Sequence, residues 1–394
     1  MTRILLSMSF VFAITLAITD QSQAARLDAQ APIFGAEAAN AIPGRYIIVF
    51  TPGSVGHDVS AAANAATRLG GKIHYTYTDA LHGFAATLPE AALQGLRHNP
   101  NIEFIEVDQS VSLGIEPAQS VSTWNLDRID QRILPLDSFY GYTSTGTGVT
   151  AYVIDTGIRP SHTEFTGRAS IGYDAVNDGH NGLDCNGHGT HVAGTVGGFT
   201  YGVAKDVSLV AVRVLNCAGS GTISGVIAGV DWVTGNRQQP AVANMSLGGG
   251  ASTALDKAVE TSIGNGVTYA IAAGNSKKDA CRTSPARVSA AITVGATTST
   301  DARASYSNYG VCLDLFAPGS NVTSAWSTGD TATNTISGTS MATPNVAGVA
   351  ALYLQNNPAA SPASVAAALT GTATTGLVSN PGRNSPNRLL FTDY

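Results

Sequence analysis

Ala151-Tyr152-Val153-Ile154-Asp155-Thr156-Gly157 is the stretch on which the fold turns. It begins as an apolar run without polar alternation, the pattern of a strand covered on both faces. It stops at a carboxylate and then a glycine, a strand end that passes into a turn. The run itself spans 148–154, and comparable ones recur at 209–215, 242–245, 267–272 and 292–294, nearly all followed by Gly and separated by Ala-rich helical segments. That alternation predicts an α/β domain from Trp124 onward: a doubly wound, mainly parallel sheet with helices on both faces. In such sheets functional side chains collect beyond the carboxyl ends of the strands. Asp155 stands at one.

Upstream the pattern differs. Residues 46–50, 72–78, 84–88 and 102–111 read as strands, and 55–69 and 89–97 as helices. The order β-α-β-β-α-β over 41–112 predicts a small α+β unit of the ferredoxin-like kind. Residues 25–40 are small and polar without periodicity, and 113–123 read as a linker. At the start, Arg3 precedes an apolar run over 4–18, followed by Ser22-Gln23-Ala24-Ala25. Charge, short apolar core and small-residue cleavage site are the layout of a secretory signal peptide over 1–24. The run is short for a membrane span, and no later stretch reaches 18 uninterrupted apolar residues.

Composition bounds the function. The 394 residues are 44% hydrophobic and only 12% charged, with net charge −6. That is enough apolar material for a large core, which argues against disorder. The acidic balance, without a basic run, argues against a nucleic-acid partner. Four cysteines in an exported chain suit two bridges, with three possible connectivities.

Two further motifs join Asp155. Asn186-Gly187-His188-Gly189-Thr190-His191 is a glycine-rich entry into an apolar helix, and Ser337-Gly338-Thr339-Ser340-Met341-Ala342-Thr343-Pro344 opens another. A Ser hydroxyl needs an adjacent base to take its proton, and a carboxylate on the far side of the imidazole fixes the tautomer. Asp155, His188 and Ser340 supply those three roles. Asn275, after the strand at 267–272, offers a side-chain NH2 at another strand end. With the backbone N–H of Ser340 it would make an oxyanion site. Pro344 is expected in the first turn of a helix over 345–355, where proline is tolerated. His188 with His191 also makes His-x-x-His, a weak metal pattern that lacks the i,i+4 spacing and the intervening Glu. An α/β-hydrolase would carry G-x-S-x-G and the order Ser…Asp…His, which this chain does not. A non-catalytic binding protein on the same scaffold would be expected to lack one of the three residues.

The motifs, with Trp124, Leu126-Asp127-Arg128-Ile129-Asp130-Gln131-Arg132, Asp184-Cys185-Asn186 and Ser305-Tyr306-Ser307-Asn308-Tyr309-Gly310, resemble the subtilisin-like serine proteases over 124–394. The resemblance is to the proteinase K branch, and within it to aqualysin-like secreted bacterial enzymes. It implies catalytic Asp155, His188 and Ser340, with Asn275 in the oxyanion hole. It implies that residues 41–112 are an inhibitor-type propeptide, a folding aid and intramolecular inhibitor, and that a peptidase domain over 117–394 is released by self-cleavage. The bridges it implies are Cys185–Cys217 and Cys281–Cys312. It makes Ser246-Leu247-Gly248 and Ala272-Ala273-Gly274 the walls of the pocket for the residue before the scissile bond. These walls are small and uncharged, which favours apolar or aromatic side chains. Gly219-Ser220-Gly221 becomes the strand edge that pairs with extended protein and peptide substrates, reading mostly backbone. Structural calcium is implied at Asp314 with Ser289 and Ala291 carbonyls, and at Asp127, Asp130, Gln131 and Asp137, with no catalytic metal. A secreted monomer, with no membrane attachment after signal removal, completes the expectation. Two positions depart from the pattern: Asn345 stands where the family usually has His, and Val192 where proteinase K-type relatives have a free Cys.

Overall fold

The computed structural model describes residues 30–38, 40–112, 116–117 and 124–394. The signal-peptide reading and most of the linker lie outside the described residues. The N-terminal unit contains β1 (Ile33–Phe34), β2 (Ala41–Phe50), α1 (Gly56–Arg68), β3 (Lys72–Tyr77), β4 (Gly83–Thr87), α2 (Glu90–Arg97) and β5 (Ile102–Ser112). Strands pair antiparallel in the order β5-β2-β4-β3. One face of this sheet, with Ile48, Phe50, Phe84 and Ile105, packs on Val59, Ala62, Ala66, Leu93 and Leu96 of its two helices. Sequence reading missed β1, two residues in a stretch without periodicity. It exists because the free edge of β5 pairs with it in parallel, Ile33 with Ile105.

The larger unit follows with β6 (Glu116–Pro117), α3 (Trp124–Ile129), β7 (Thr150–Asp155), β8 (Ala169–Asp174), α4 (His188–Gly197), β9 (Ser208–Arg213), β10 (Ser220–Thr222), α5 (Ile223–Asn236), β11 (Ala241–Met245), β12 (Gly248–Gly250), α6 (Thr253–Gly264), β13 (Val267–Ala272), β14 (Thr283–Ser284) and β15 (Ile292–Thr297). It ends with β16 (Leu315–Pro318), β17 (Val322–Ala325), β18 (Thr333–Ser337), α7 (Thr339–Asn356), α8 (Pro362–Thr372), β19 (Thr374–Thr375) and β20 (Arg388–Leu389). The main sheet runs β19-β20-β16-β15-β13-β11-β7-β9-β8, and all its pairs are parallel except β19 with β20. Every residue of β7 is buried. Its Ala151 and Val153 belong to the core under α4, α7 and α8, while Tyr152 and Ile154 belong to the core under α5 and α6. Successive side chains on opposite faces thus serve two apolar layers, which is why the run shows no polar alternation. Strand β6 pairs with β18 at Ser337 and Ile336, so the stretch read as linker carries a short strand.

Helix α7 starts at Thr339, not near Asn345, and Pro344 is therefore its sixth residue. A proline there removes the N–H that would bond to the Ser340 carbonyl four residues earlier. The deficit is met from outside the helix: Ser246 Oγ donates to the Ser340 carbonyl at 2.8 Å.

Candidate active site

Asp155 is the last residue of β7, and His188 is the first of α4. Both are fully buried, and His188 Nδ1 lies 2.7 Å from Asp155 Oδ1. The same oxygen accepts from Thr156 N–H at 2.8 Å, which holds the carboxylate against rotation. His188 Nε2 is buried without a partner, the ring nitrogen that a base needs free. Gly187, the N-cap of α4, has φ 114°, and a Cβ there would lie 2.3 Å from the Trp326 ring. Only glycine lets the chain turn into α4 under that indole.

Asp184 organises this turn. Its two oxygens accept from Thr156 Oγ1, the N–H groups of Asn186, Gly187 and Thr190, and Thr190 Oγ1, at 2.6 to 2.9 Å. It is a carboxylate at a helix N-terminus, stabilised by the orphan N–H groups. In the sequence Asp184 belongs to the motif Asp184-Cys185-Asn186, and its residue type alone names no role for it. The spacing of an Asp ahead of Gly-His-Gly-Thr at a helix start was the available signal. His191 faces away from the chemistry. Its Nε2 lies 3.0 Å from the Val322 carbonyl, and burial, with the nearby His188, pushes its pKa down to about 3. It stays neutral, as a packed ring.

Ser340 sits in the first turn of α7, only 2% exposed. Its Oγ donates to the Ser246 carbonyl at 3.1 Å. Ser246 thus holds the nucleophile residue by two bonds in opposite senses, and Asn244 Nδ2 donates to Ser246 Oγ at 2.9 Å. Asn275 Oδ1 accepts from both the N–H and the hydroxyl of Thr339 at 2.9 Å, which fixes the amide with its NH2 as the remaining donor end. Asn275, Thr339 and Ser340 line a 250 Å³ cavity with Leu247, Gly248, Ala272, Ala273 and Gly274. The cavity brings Ser340 and Asn275 together with the expected pocket walls, and Ser246 reaches it through its bonds to Ser340; Asp155 and His188 form their pair outside its lining.

A strand already lies in the cleft. The end of β5 runs antiparallel between β10 and β12: Ser112 is opposite both Ser220 and Gly248, and Val111 opposite both Gly221 and Gly249. Gly219, with φ 73°, turns the chain into β10. Val111 is buried to 1% in the core that holds Ile223 and Leu247. The opposite face of the N-terminal sheet, with Ile47, Val49, Ala85 and Phe104, joins the core of α5 and α6. Two carboxylates of β5 reach the starts of those helices. Asp108 accepts from Ser224 N–H at 2.8 Å and pairs with Arg45 at 2.8 Å. Glu106 accepts from Ala254 N–H at 2.6 Å. In the other direction, Asp231 of α5 accepts from the N–H groups of Thr78, Asp79 and Ala80.

The four cysteines form Cys185–Cys217 and Cys281–Cys312, with S–S distances of 2.01 and 2.14 Å. His180 Nδ1 or Nε2 comes close to the first pair, but a disulfide sulfur is no thiolate ligand. Among the acidic residues expected to bind a cation, Asp137 N–H donates to Asp127 at 3.2 Å and to Gln131 Oε1 at 3.3 Å. Asp130 Oδ1 is buried without a partner. Burial, and then the charges of Asp127 and Asp137, raise the pKa of Asp130. Asp314 accepts from Thr293 N–H at 2.7 Å beside Ala291, and burial pushes its pKa up to about 6.

The structure thus holds a buried Asp-His pair, a helix-mounted serine that shares a cavity with an amide side chain, and a strand of the same chain between β10 and β12. Comparison with known proteins gives the family. Residues 146–389 match the Subtilase family and residues 45–114 match Peptidase inhibitor I9. The chain is 58% identical over 384 residues to an extracellular serine proteinase of Thermus sp. (strain Rt41A), covering 93% of each chain. It is 52% identical over 364 residues to alkaline serine exoprotease A of Vibrio alginolyticus, covering 89% of this chain and 68% of that one. Among solved structures it is similar to a cold adapted subtilisin-like serine proteinase, with TM-score 0.67 and 58% identity over 70% of this chain and 99% of that one. The chain belongs to the subtilase family.

Proposed function

We propose that this protein is a secreted serine endopeptidase made as a precursor. Residues 1–24 direct export, 41–112 inhibit and assist folding, and self-cleavage within 113–123 frees a peptidase domain. The observation that carries the reading is the 2.7 Å bond between buried His188 and Asp155, with His188 Nε2 unpartnered, beside a helix-mounted Ser340 that shares its cavity with Asn275.

In the cycle, the Ser340 hydroxyl turns from the Ser246 carbonyl to His188 Nε2 and gives up its proton as Oγ attacks the substrate carbonyl carbon. The oxyanion accepts from Asn275 NH2 and the Ser340 N–H, donors whose loss individually costs about 2.7–4 kcal/mol of barrier; that range is taken from a subtilisin Asn. Asp155 steadies the imidazolium, which protonates the leaving amine. Water, deprotonated by His188, then cleaves the acyl-Ser340 ester. Substrate lies between β10 and β12 as β5 does, so most recognition is of backbone and specificity is broad. The small walls at 246–248 and 272–274 favour an apolar or aromatic residue before the scissile bond.

Calcium fits the same reading as a structural ion, since hard cations take carboxylate and carbonyl oxygens. Asp127, Asp130, Gln131 and Asp137 would hold one, and the unpartnered Asp130 oxygen is a ready donor. Asp314 with the Ser289 and Ala291 carbonyls would hold another. Bound there, the ion supplies loop cross-linking and charge neutralisation.

Ser340→Ala is expected to abolish turnover and to leave the precursor uncut; intact mass with a fluorophosphonate probe checks both. A folded, trimmed wild-type chain that takes up no probe would instead favour a binding protein on this scaffold.

A further inference from the structure

One face beside the cleft carries a charge pattern that the reading above does not use. The loop after Asn275 holds Lys277, Lys278 and Arg282, and Arg383 comes from the C-terminal segment to the same place. Together they line a 410 Å³ cavity with Asp279 and Tyr309. All four cations are exposed, and their side chains make no hydrogen bond or ion pair with the described residues. One carboxylate lines the basin beside them: Asp279, whose Oδ1 accepts from Cys281 N–H at 3.0 Å and which forms no ion pair with the four cations. In a chain of net charge −6, four unpaired cations against one carboxylate form a local reversal of sign.

The basin adjoins the substrate cavity through shared backbone. Ser276 and Thr283 line the cleft cavity, and their neighbours Lys277 and Arg282 line the basin. The loop between them is held in place. Asn308 Oδ1 accepts from the N–H groups of Ser276 and Lys278, Ala280 N–H donates to the Tyr309 carbonyl, and Cys281 is bridged to Cys312. Lys277 itself holds φ 54°, a left-handed conformation that costs a non-glycine residue energy. The cations are thus mounted on a fixed frame at the cleft wall.

We propose that this basin is an anion subsite of the substrate cleft, which favours protein substrates carrying Asp or Glu on the N-terminal side of the scissile bond. The inference rests on the peptidase reading and adds a charge preference to its apolar pocket. Like-signed Lys and Arg in the same substrate positions are correspondingly disfavoured. Exposed charges act through a screened field, so the effect shrinks as salt shortens the Debye length from about 8 Å at physiological strength to about 3 Å at 1 M.

The test uses the processed enzyme and paired peptides, each with one Glu or one Gln at each of the four positions before the bond. The readout is the Glu-to-Gln ratio of kcat/KM within one enzyme, so that a general loss of activity cancels. The wild type is expected to show a ratio of about five- to tenfold at one position in low salt, falling towards one in about 1 M NaCl. Combined substitution K277S, K278S, R282S and R383S should bring that ratio to one, while K277R with K278R should keep it. A ratio of one at every position in the wild type, or a ratio unchanged by the serine variant, overturns the subsite. Inhibition by inorganic phosphate with no Glu preference also overturns it and marks a site for free anions. If the wild type cleaves none of the peptides and takes up no serine probe, the peptidase reading fails instead.

Discussion

The N-terminal sheet has two faces, and they are built differently. The face under α1 and α2 is closed by apolar side chains alone, Ile48, Phe50 and Phe84 against Val59, Leu93 and Leu96. The face against α5 and α6 also buries Ile47, Val49 and Phe104, but it is ringed by carboxylates: Glu106 and Asp108 on one side, Asp231 on the other. Each accepts backbone N–H groups from across the boundary. An all-apolar seam would leave a large exposed patch after separation, with an aggregation risk. Carboxylates return to water readily. On the proposed reading the first face stays closed and the second comes apart after cleavage. The same contrast separates two kinds of buried acid. Asp155 meets its partner His188 within the peptidase unit, whereas Asp108 and Glu106 are buried only while the units are docked.

That contrast can be broken at its strongest point first. Asp155→Asn keeps the shape of the pair but donates where Nδ1–H should donate, so the imidazole is held in the wrong tautomer. The expected loss is about 10⁴-fold in kcat, with KM little changed. Inhibition by the N-terminal unit, which depends on the cleft edges and helix starts, should be unaltered in the same variant. Steady-state kinetics and an inhibition constant measured on one preparation check both halves. A parallel loss of inhibitor binding would mean that the two sets of buried acids are not independent.

The converse change is Asp108→Ala. It removes the partner of Arg45, whose side chain is only 18% exposed, and uncovers the Ser224 N–H at the start of α5. Leaving such groups unsatisfied costs about 1–3 kcal/mol, or about 5- to 150-fold in affinity. The inhibition constant of the N-terminal unit added to processed peptidase should rise by that factor while kcat on a small peptide stays constant.

Sequence reading reached the parts whose physics is local. Five of the parallel strands were legible because burial on both faces erases polar alternation. Asp155, His188, Ser340 and Asn275 stand out as candidates in the sequence because strand ends and helix starts are marked by glycine. Pairing between distant segments was not. Nothing local in Ile33-Phe34 announces β1, which exists through the edge of β5, and β6 exists through β18. Pro344 was assigned to a first turn because sequence does not reveal that Ser246 replaces its missing hydrogen bond. Asn345, the departure at the serine helix, donates to the Met341 carbonyl one turn back at 2.9 Å and finds two partners far away in sequence: it accepts from Asn125 Nδ2 at 3.0 Å and donates to the Pro318 carbonyl at 3.1 Å. Those amide bonds fill the place behind α7 with polar groups, and they leave Asn125 Oδ1 buried without a partner.

The mildest test of the comparison is pH. Burial raises the pKa values of Glu106, Asp108 and Asp231 above their ordinary values in the docked state. Separation returns them to water and to those ordinary values, about 4. Between the ordinary and the raised values the docked state therefore holds more protons than the separated units. By linkage, lowering pH through that window strengthens docking, and raising pH through it weakens docking. Above the raised values all three are ionised in both states, and the dependence flattens. The inhibition constant should fall as pH is lowered from about 8 through that window towards the ordinary values near 4, by less than the Asp108→Ala effect. Glu106→Gln should reduce the slope, because a neutral amide has no proton to exchange on docking. An inhibition constant that falls as pH rises would mean that the N–H groups and Arg45 outweigh burial at these carboxylates. The boundary would then be held by charge in the way the Asp155–His188 pair is, and the two classes of buried acid would merge into one.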